Sequence, residues 1–301
     1  MAIDTEKLTI AVDIGGSKIQ TGVVGESGTL YEKTFHPLPS NTTSTDLVKW
    51  IERDVSDLKK KYPSAAWMGI AIPGLADSVN GVWKYACFSG ISDFPIAGIL
   101  SEKTDLPVKI MNDVNACALG EKMFGCCRDC GNYIWITVSN GIGGAVVLDG
   151  EIYEGVQGYA GEIGHFIVKE DGRICPCGHR GCLEAEASGR AISTIYCNAT
   201  GEDISAKTIA ERAFLGDTDA AHAYAVAGEY LGKALSYAVN LLNPQMIVLG
   251  GGVAMDAELL LPALENVLGK YVFRAIQPPV VRRTALGYDA AILGAAALAF
   301  D

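Results

Sequence analysis

The chain opens on a continuous apolar run, Leu8 to Val12. After a glycine turn comes a second run from Ile19 to Val24, and after a Gly-Ser turn a third extended stretch. Short apolar runs bounded by glycine predict buried strands, here three joined as a meander. From Ser44 to about Tyr62 the period changes: Leu47, Trp50, Ile51, Val55 and Leu58 recur at helical spacing. Trp67 to Ile72 predicts another buried strand, stopped by Pro73 and Gly74, and Val108 to Met111 a short one that runs into a helix over NDVNACALGEKMFG. The opening pattern then returns in NYIWITVSNGIGGAVVLDGEIYEG: strand, glycine turn at Asn140 to Gly144, strand, Asp-Gly turn, short strand. Ala206 to Leu242 is mostly helical in pattern. Met246 to Leu249 predicts a buried strand meeting Gly250-Gly251-Gly252 and then a helix, and ILGAAALAF predicts a closing apolar helix.

Two copies of strand, Gly-Gly turn, strand, about 125 residues apart, are too widely spaced for a solenoid and predict a duplicated unit. The expectation is two similar α/β domains facing each other across a cleft: residues 1–118 and 119–301, with the helix at about 289–301 packing back on the first domain.

At 301 residues the chain is long enough for two domains. Hydrophobic residues make up 49% and charged residues 20%, which places it with globular proteins rather than disordered ones. The formal charge of −11 argues against nucleic acid or an anionic membrane surface as partner, since both select for clustered Lys and Arg. No basic region precedes a long apolar run, and no stretch reaches the ~18 apolar residues of a membrane span. These features, with nine irregularly spaced cysteines, predict a cytoplasmic protein with reduced thiols rather than a disulfide framework.

Three glycine-rich turns bear on phosphate chemistry: Gly15-Gly16-Ser17-Lys18, Asn140-Gly141-Ile142-Gly143-Gly144 and Gly250-Gly251-Gly252. Without a Cβ, such turns bring backbone N–H groups close to phosphate oxygens. Neither of the first two matches GxxxxGK[ST] or a Rossmann fingerprint, and each of the three alone reads equally as a hairpin. Together, in a duplicated frame, they point to a nucleotide. Asp13 and Asp113 stand at the ends of apolar strands, where a carboxylate serves as general base, as Mg²⁺ partner, or merely as a cap for the helix that follows. In GHFIVKEDGRICPCGHRGCLE, Cys175, Cys177 and Cys182 offer three thiolates, and either His165 or His179 completes a tetrahedral Zn²⁺ site. Reduced structural thiols are the alternative. Glu162 and Glu184 flank this segment; a shared metal loop would let them present paired acceptors to a hydroxyl-rich ligand, which suggests a sugar.

With these residues assembled, the sequence resembles the ROK family (repressor, open reading frame, kinase) of glucokinase-like and N-acetylmannosamine kinase-like sugar kinases. The resemblance spans nearly the whole chain, through VDIGGSKIQTGVV, IAIPGLAD, MNDVNACALGE, SNGIGGAVV, GYAGEIGH, CPCGHRGCLEAEASG and IVLGGGVA. It implies a two-domain actin-like fold with ribonuclease H-like βββαβα units. It implies ATP and Mg²⁺ as cofactors, a structural Zn²⁺ on His165, Cys175, Cys177 and Cys182, and Asp113 as the base that removes a proton from a sugar hydroxyl. Asn112, Asp113, Glu162, His165 and Glu184 would bind the sugar. Asp13, Gly15, Gly16, Ser17 and Lys18, with Asn140, Gly141 and Gly143, would meet the Mg²⁺–ATP phosphates, and Gly250, Gly251 and Gly252 the adenosine. The partners implied are a small-molecule sugar and ATP, in a homodimer or homotetramer. The expected reaction is phosphorylation of the 6-hydroxyl of a hexose or N-acetylhexosamine, glucose first and N-acetylmannosamine second.

Two departures from the family pattern stand out. Ser139-Asn140 replaces a Gly-Thr pair at the second phosphate loop, putting an amide where the family has a hydroxyl. Ala86-Cys87-Phe88-Ser89-Gly90-Ile91 replaces a Pro-Asn-Leu segment that often supplies a sugar-binding asparagine. The family's repressors carry a helix-turn-helix ahead of the glycine-loop domain. Only about seven residues precede the first strand here, so the reading is an enzyme, with a non-catalytic sugar sensor as the alternative.

Overall fold

A computed structural model describes residues 6–39, 41–86 and 90–300. Cys87, Phe88 and Ser89, the centre of the second departure, lie outside the described residues.

The first sheet grows from β1 (Leu8–Ile14), buried at every position. Its β-branched residues suit a strand covered on both faces. The Gly15-Gly16-Ser17 turn, closed by Gly15 N donating to Lys18 O at 2.9 Å, returns the chain as β2 (Lys18–Gly25). Next comes β3 (Leu30–Pro37), whose partly exposed residues fit an edge position. The helix α1 (Ser44–Lys61) starts at a reciprocal capping box between Thr43 and Asp46, and buries Leu47, Ile51, Val55 and Leu58 on one stripe. Then β4 (Ala65–Ile72) runs parallel to β1 and stops at Pro73 and Gly74, the latter at φ 82°. A small antiparallel sheet follows, β5 (Leu75–Asp77), β6 (Val82–Tyr85) and β7 (Ser92–Phe94), then α2 (Ile96–Thr104), β8 (Val108–Asn112) and α3 (Asp113–Phe124). The order is β3-β2-β1-β4-β8.

The second sheet repeats this plan. It comprises β9 (Tyr133–Val138), β10 (Ile142–Leu148) and β11 (Glu151–Ile152), with β12 (Met246–Gly250) and β13 (Val280–Arg283) following a long helical insertion. Its order is β11-β10-β9-β12-β13, with two antiparallel and two parallel pairings in the same places as in the first sheet. The helices are α4 (Leu183–Ala187), α5 (Gly189–Thr200), α6 (Ala206–Phe214), α7 (Thr218–Leu242), α8 (Leu261–Tyr271) and α9 (Ala290–Ala297). The duplicated α/β architecture of the two-domain actin-like fold is therefore present.

Several expected elements differ in detail. The helical stretch from Ala206 is two helices, because Asp217 caps a new one by accepting from Asp219 N and Ala220 N. The segment after Gly252 is a 3₁₀ turn broken at Asp256 before α8 begins. The Asn140–Gly144 turn is shorter than its glycines suggest: β10 already begins at Ile142. Gly144 lies inside that strand, where a Cβ would come within 2.6 Å of Gly161 O.

By contacts the chain forms two compact units. One comprises Met1–Asp129, Glu154–Tyr159 and Asp289–Asp301; the other, Cys130–Tyr153 and Ala160–Tyr288. The first thus runs past residue 118 to Asp129 and includes α9, which packs on α3, β1 and β4. This approach depends on missing side chains. A Cβ on Gly69 would lie 1.8 Å from Ala295 O, and one on Gly294 1.8 Å from Ala116 O. The second unit's core centres on Ile134, Ile136, Ile247 and Leu249, covered by Leu231, Leu235 and Val239 of α7.

Candidate functional site

In the first unit, strand register assembles the acidic pair. Asp13 on β1 lies beside Ala71 of β4, and Ala71 beside Met111 of β8, two residues before Asp113. Two parallel steps therefore bring both carboxylates to one end of the sheet. Gln20, directly opposite Asp13 on β2 and buried, donates from Nε2 to Asp13 Oδ2 at 2.9 Å. Burial raises the pKa of Asp13, with the Gln20 hydrogen bond opposing that shift. Burial and then the Asp13 charge push Asp113 up to about 7.

The cap of α3 is Asn112 rather than Asp113. Asn112 Oδ1 accepts from Val114 N and Asn115 N at 2.9 and 3.0 Å, while its Nδ2 donates to Gly74 O and Asp113 Oδ1. Asp113 Oδ1 also accepts from Val114 N at 3.0 Å, so one carboxyl oxygen is anchored. The turn Gly15 to Lys18 joins β1 to β2 directly after Asp13.

In the second unit, β9 and β12 run parallel with Gly250 beside Thr137, so the loops that leave them lie together. Gly251 at φ 85° makes this close approach possible; a Cβ there would meet Val138 O at 2.5 Å. Beside both loops opens a cavity of about 770 Å³, lined by Ser139, Asn140, Arg190, Lys207, Gly252 and Tyr288 among others. That volume is in the range of small-molecule sites, about 300–1,000 Å³. Arg190 Nε donates to Asn140 O at 2.9 Å and Gly189 N to Ser139 O at 2.7 Å, which ties the start of α5 to the loop. Gly143 lies within β10, beside Thr137.

The cysteine segment forms a hairpin. His165, Cys175, Cys177 and Cys182 each offer a ligand atom, and these atoms all lie within 4.8 Å of one another. Tetrahedral bonds of about 2.0–2.3 Å put ligands ~3.3–3.8 Å apart, so the Cys177–Cys182 sulfur separation of 3.5 Å and the 3.8 Å from Cys175 Sγ to His165 Nδ1 suit Zn²⁺. The backbone N–H and imidazole of His179 draw the Cys177 thiol down to about 6, which favours the thiolate a metal needs. The other face of His165 turns toward Glu162, with Nε2 3.6 Å from Oε2. Glu184 points to the Asn140–Gly144 turn: its Oε2 accepts from Ile142 N at 3.0 Å and would be 2.4 Å from a Cβ on Gly141.

Sequence reasoning missed Gln20, Arg190, Lys207, Tyr288 and the Arg173–Glu186 pair. Only Gln20 carried a signal, as a large polar residue inside an apolar strand.

Known proteins resemble this chain in sequence and fold. The sequence matches the ROK family over residues 9–301. It is 30% identical to a glucokinase of Halalkalibacterium halodurans, over 96% of this chain and 94% of that protein. It is also 30% identical to the DNA-binding transcriptional dual regulator NagC of Escherichia coli, over 92% of this chain and 73% of that protein. A ROK family glucokinase from Streptomyces griseus, solved in complex with glucose and AMPPNP, superposes with a TM-score of 0.86 at 31% identity, covering 97% and 98% of the two chains. The chain belongs to the ROK family.

Proposed function

We propose that this protein is an ATP-dependent sugar kinase that phosphorylates the 6-hydroxyl of a hexose or N-acetylhexosamine, glucose first and N-acetylmannosamine second. The observation that carries the reading is Asp113: a half-buried residue at a strand end, its carboxyl anchored through one oxygen and its pKa raised by burial to about 7. A base poised near the working pH is what deprotonation of a sugar hydroxyl requires. Glucokinase relatives and the glucose–AMPPNP complex of the S. griseus protein support the substrate class.

In this reading the first unit supplies the base. Asp113 takes the proton as O6 forms its bond to the γ-phosphorus, the bond from that phosphorus to the bridging oxygen breaks, and ADP leaves with the electron pair. Asp13 with Gly15 to Lys18 would meet the Mg²⁺–ATP phosphates, where the metal, when bound, would supply charge neutralisation. The second unit holds the nucleoside in the 770 Å³ cavity beside Asn140, Gly141 and Gly250 to Gly252. Asn140 can donate from its amide where the family has a hydroxyl. Glu162, His165 and Glu184 orient the sugar, with Zn²⁺ fixing the hairpin between them. Both protons and the oxygen of the Asn112 amide are already engaged. It contacts the sugar only by giving up one of those bonds, and otherwise positions Asp113.

The test is ADP release with Mg²⁺–ATP against glucose, mannose, fructose, allose, N-acetylglucosamine and N-acetylmannosamine. One strongly preferred sugar is expected. Sugar binding without ATP turnover would replace the kinase with a sugar sensor, a reading supported by the 30% identity to the regulator NagC.

A further inference from the structure

The short helix α4 carries Glu184 and has only five residues, too few for a helix to hold itself, so its position comes from what fastens it. One fastener is at its start: Cys182 immediately precedes it and belongs to the four-ligand cluster. A second lies two residues beyond Glu184. Glu186 is 1% exposed, and Arg173 reaches it from the cysteine hairpin. Arg173 Nε and Nη2 donate to Glu186 Oε2 at 3.2 and 3.0 Å, and Arg173 N donates to Oε1 at 2.5 Å. The guanidinium also reaches Glu186 O and, in α5, Ala191 O. Gly172 leaves room for this, since a Cβ there would lie 2.5 Å from Glu186 Oε1. The hairpin itself is closed by Gly181 N donating to Arg173 O at 2.9 Å and Cys175 N to His179 O at 2.8 Å.

We infer that Arg173 and Glu186 are a positioning pair for the sugar site: a fastener on α4, separate from the metal, that sets Glu184 between Cys182 on one side and Glu186 on the other. A planar guanidinium that grips a buried carboxylate fixes orientation as well as distance, which a lysine does not. The inference rests on the sugar-kinase reading for its catalytic consequence, though not for the fastening itself.

The test uses zinc-loaded full-length protein carrying Arg173→Ala, with Arg173→Lys as the milder variant in case the first folds poorly. Expected for Arg173→Ala is a rise of about tenfold in KM for the preferred sugar, with KM for ATP and zinc stoichiometry retained and sugar KM partly restored by added methylguanidinium. Arg173→Lys should show the same pattern to a smaller degree. Loss of zinc in parallel, or equal rises in both KM values, would overturn the inference by making the pair a general support of the hairpin. Should the wild-type protein turn over no sugar, the kinase reading fails on its own. The fastener is then judged by hydrogen exchange at the amides of 186–188, which should quicken in the variant with zinc still bound; unchanged exchange would refute it.

Discussion

Asp113 owes its proton affinity to where two strands end. Its carboxyl is buried enough to resist ionisation and stands near Asp13, whose own carboxyl is hydrogen-bonded by Gln20. A group with a pKa of about 7 must lose its proton before it can act as base. Turnover should therefore rise with pH across about 7 and level off above it, read as the acidic limb of kcat/KM for the sugar. A flat profile from pH 5 to 8 would remove Asp113 from that role. Asp113→Asn keeps the shape and cannot accept the proton. It should lower kcat by a factor of about 10²–10⁴ while sugar binding, measured by calorimetry, stays close to wild type. The Asp was legible in the sequence as a strand-end carboxylate; its altered acidity was not, because that depends on a residue a hundred positions earlier, brought near by parallel pairing through β4.

At the scale of elements, the cysteine hairpin and the α3–α9 contact make separate claims. Chelating the metal should free the start of α4 and raise KM for the sugar more than KM for ATP, while re-addition of Zn²⁺ reverses the change; metal analysis of freshly purified protein should give close to one zinc per chain. The α3–α9 contact is set by glycine. Gly294→Ala would drive a methyl into Ala116 O, at a cost of about 1–3 kcal/mol from overpacking, read as a lower thermal midpoint. Because α3 begins at Asp113, activity should fall as well. The sequence announced the elements with long apolar runs or clean helical stripes, such as β1, β12 and α1. It did not announce β5 to β7, which are three or four residues long and only partly covered. Nor did it announce α2, whose start has no side-chain cap. The Arg173–Glu186 pair had no periodicity to betray it, since its partners are joined across an irregular hairpin.

At the scale of the whole molecule, the duplicated sheets were visible as a repeated glycine-turn pattern, but the route of the chain between the two units was not. Four crossings, at 129/130, 153/154, 159/160 and 288/289, join them. No helix among the described residues is long and apolar enough to cross a membrane, and the charge of −11 argues against a polyanionic surface as partner. Removing residues 289–301 should expose the surfaces of α3, β1 and β4 that α9 covers. Limited proteolysis of that deletion should then degrade the first unit while fragments of the second persist.

The placement of α9 also sets an order of events during synthesis. Domains as a rule fold from the N-terminus as they leave the ribosome, at about 5–20 residues per second. Here the first unit lacks one layer of its interior until α9 has emerged, after the whole of the second unit has been made. The second unit can settle first, and the earlier-made half waits on it with apolar surface uncovered, the interval in which a nascent chain most needs a chaperone.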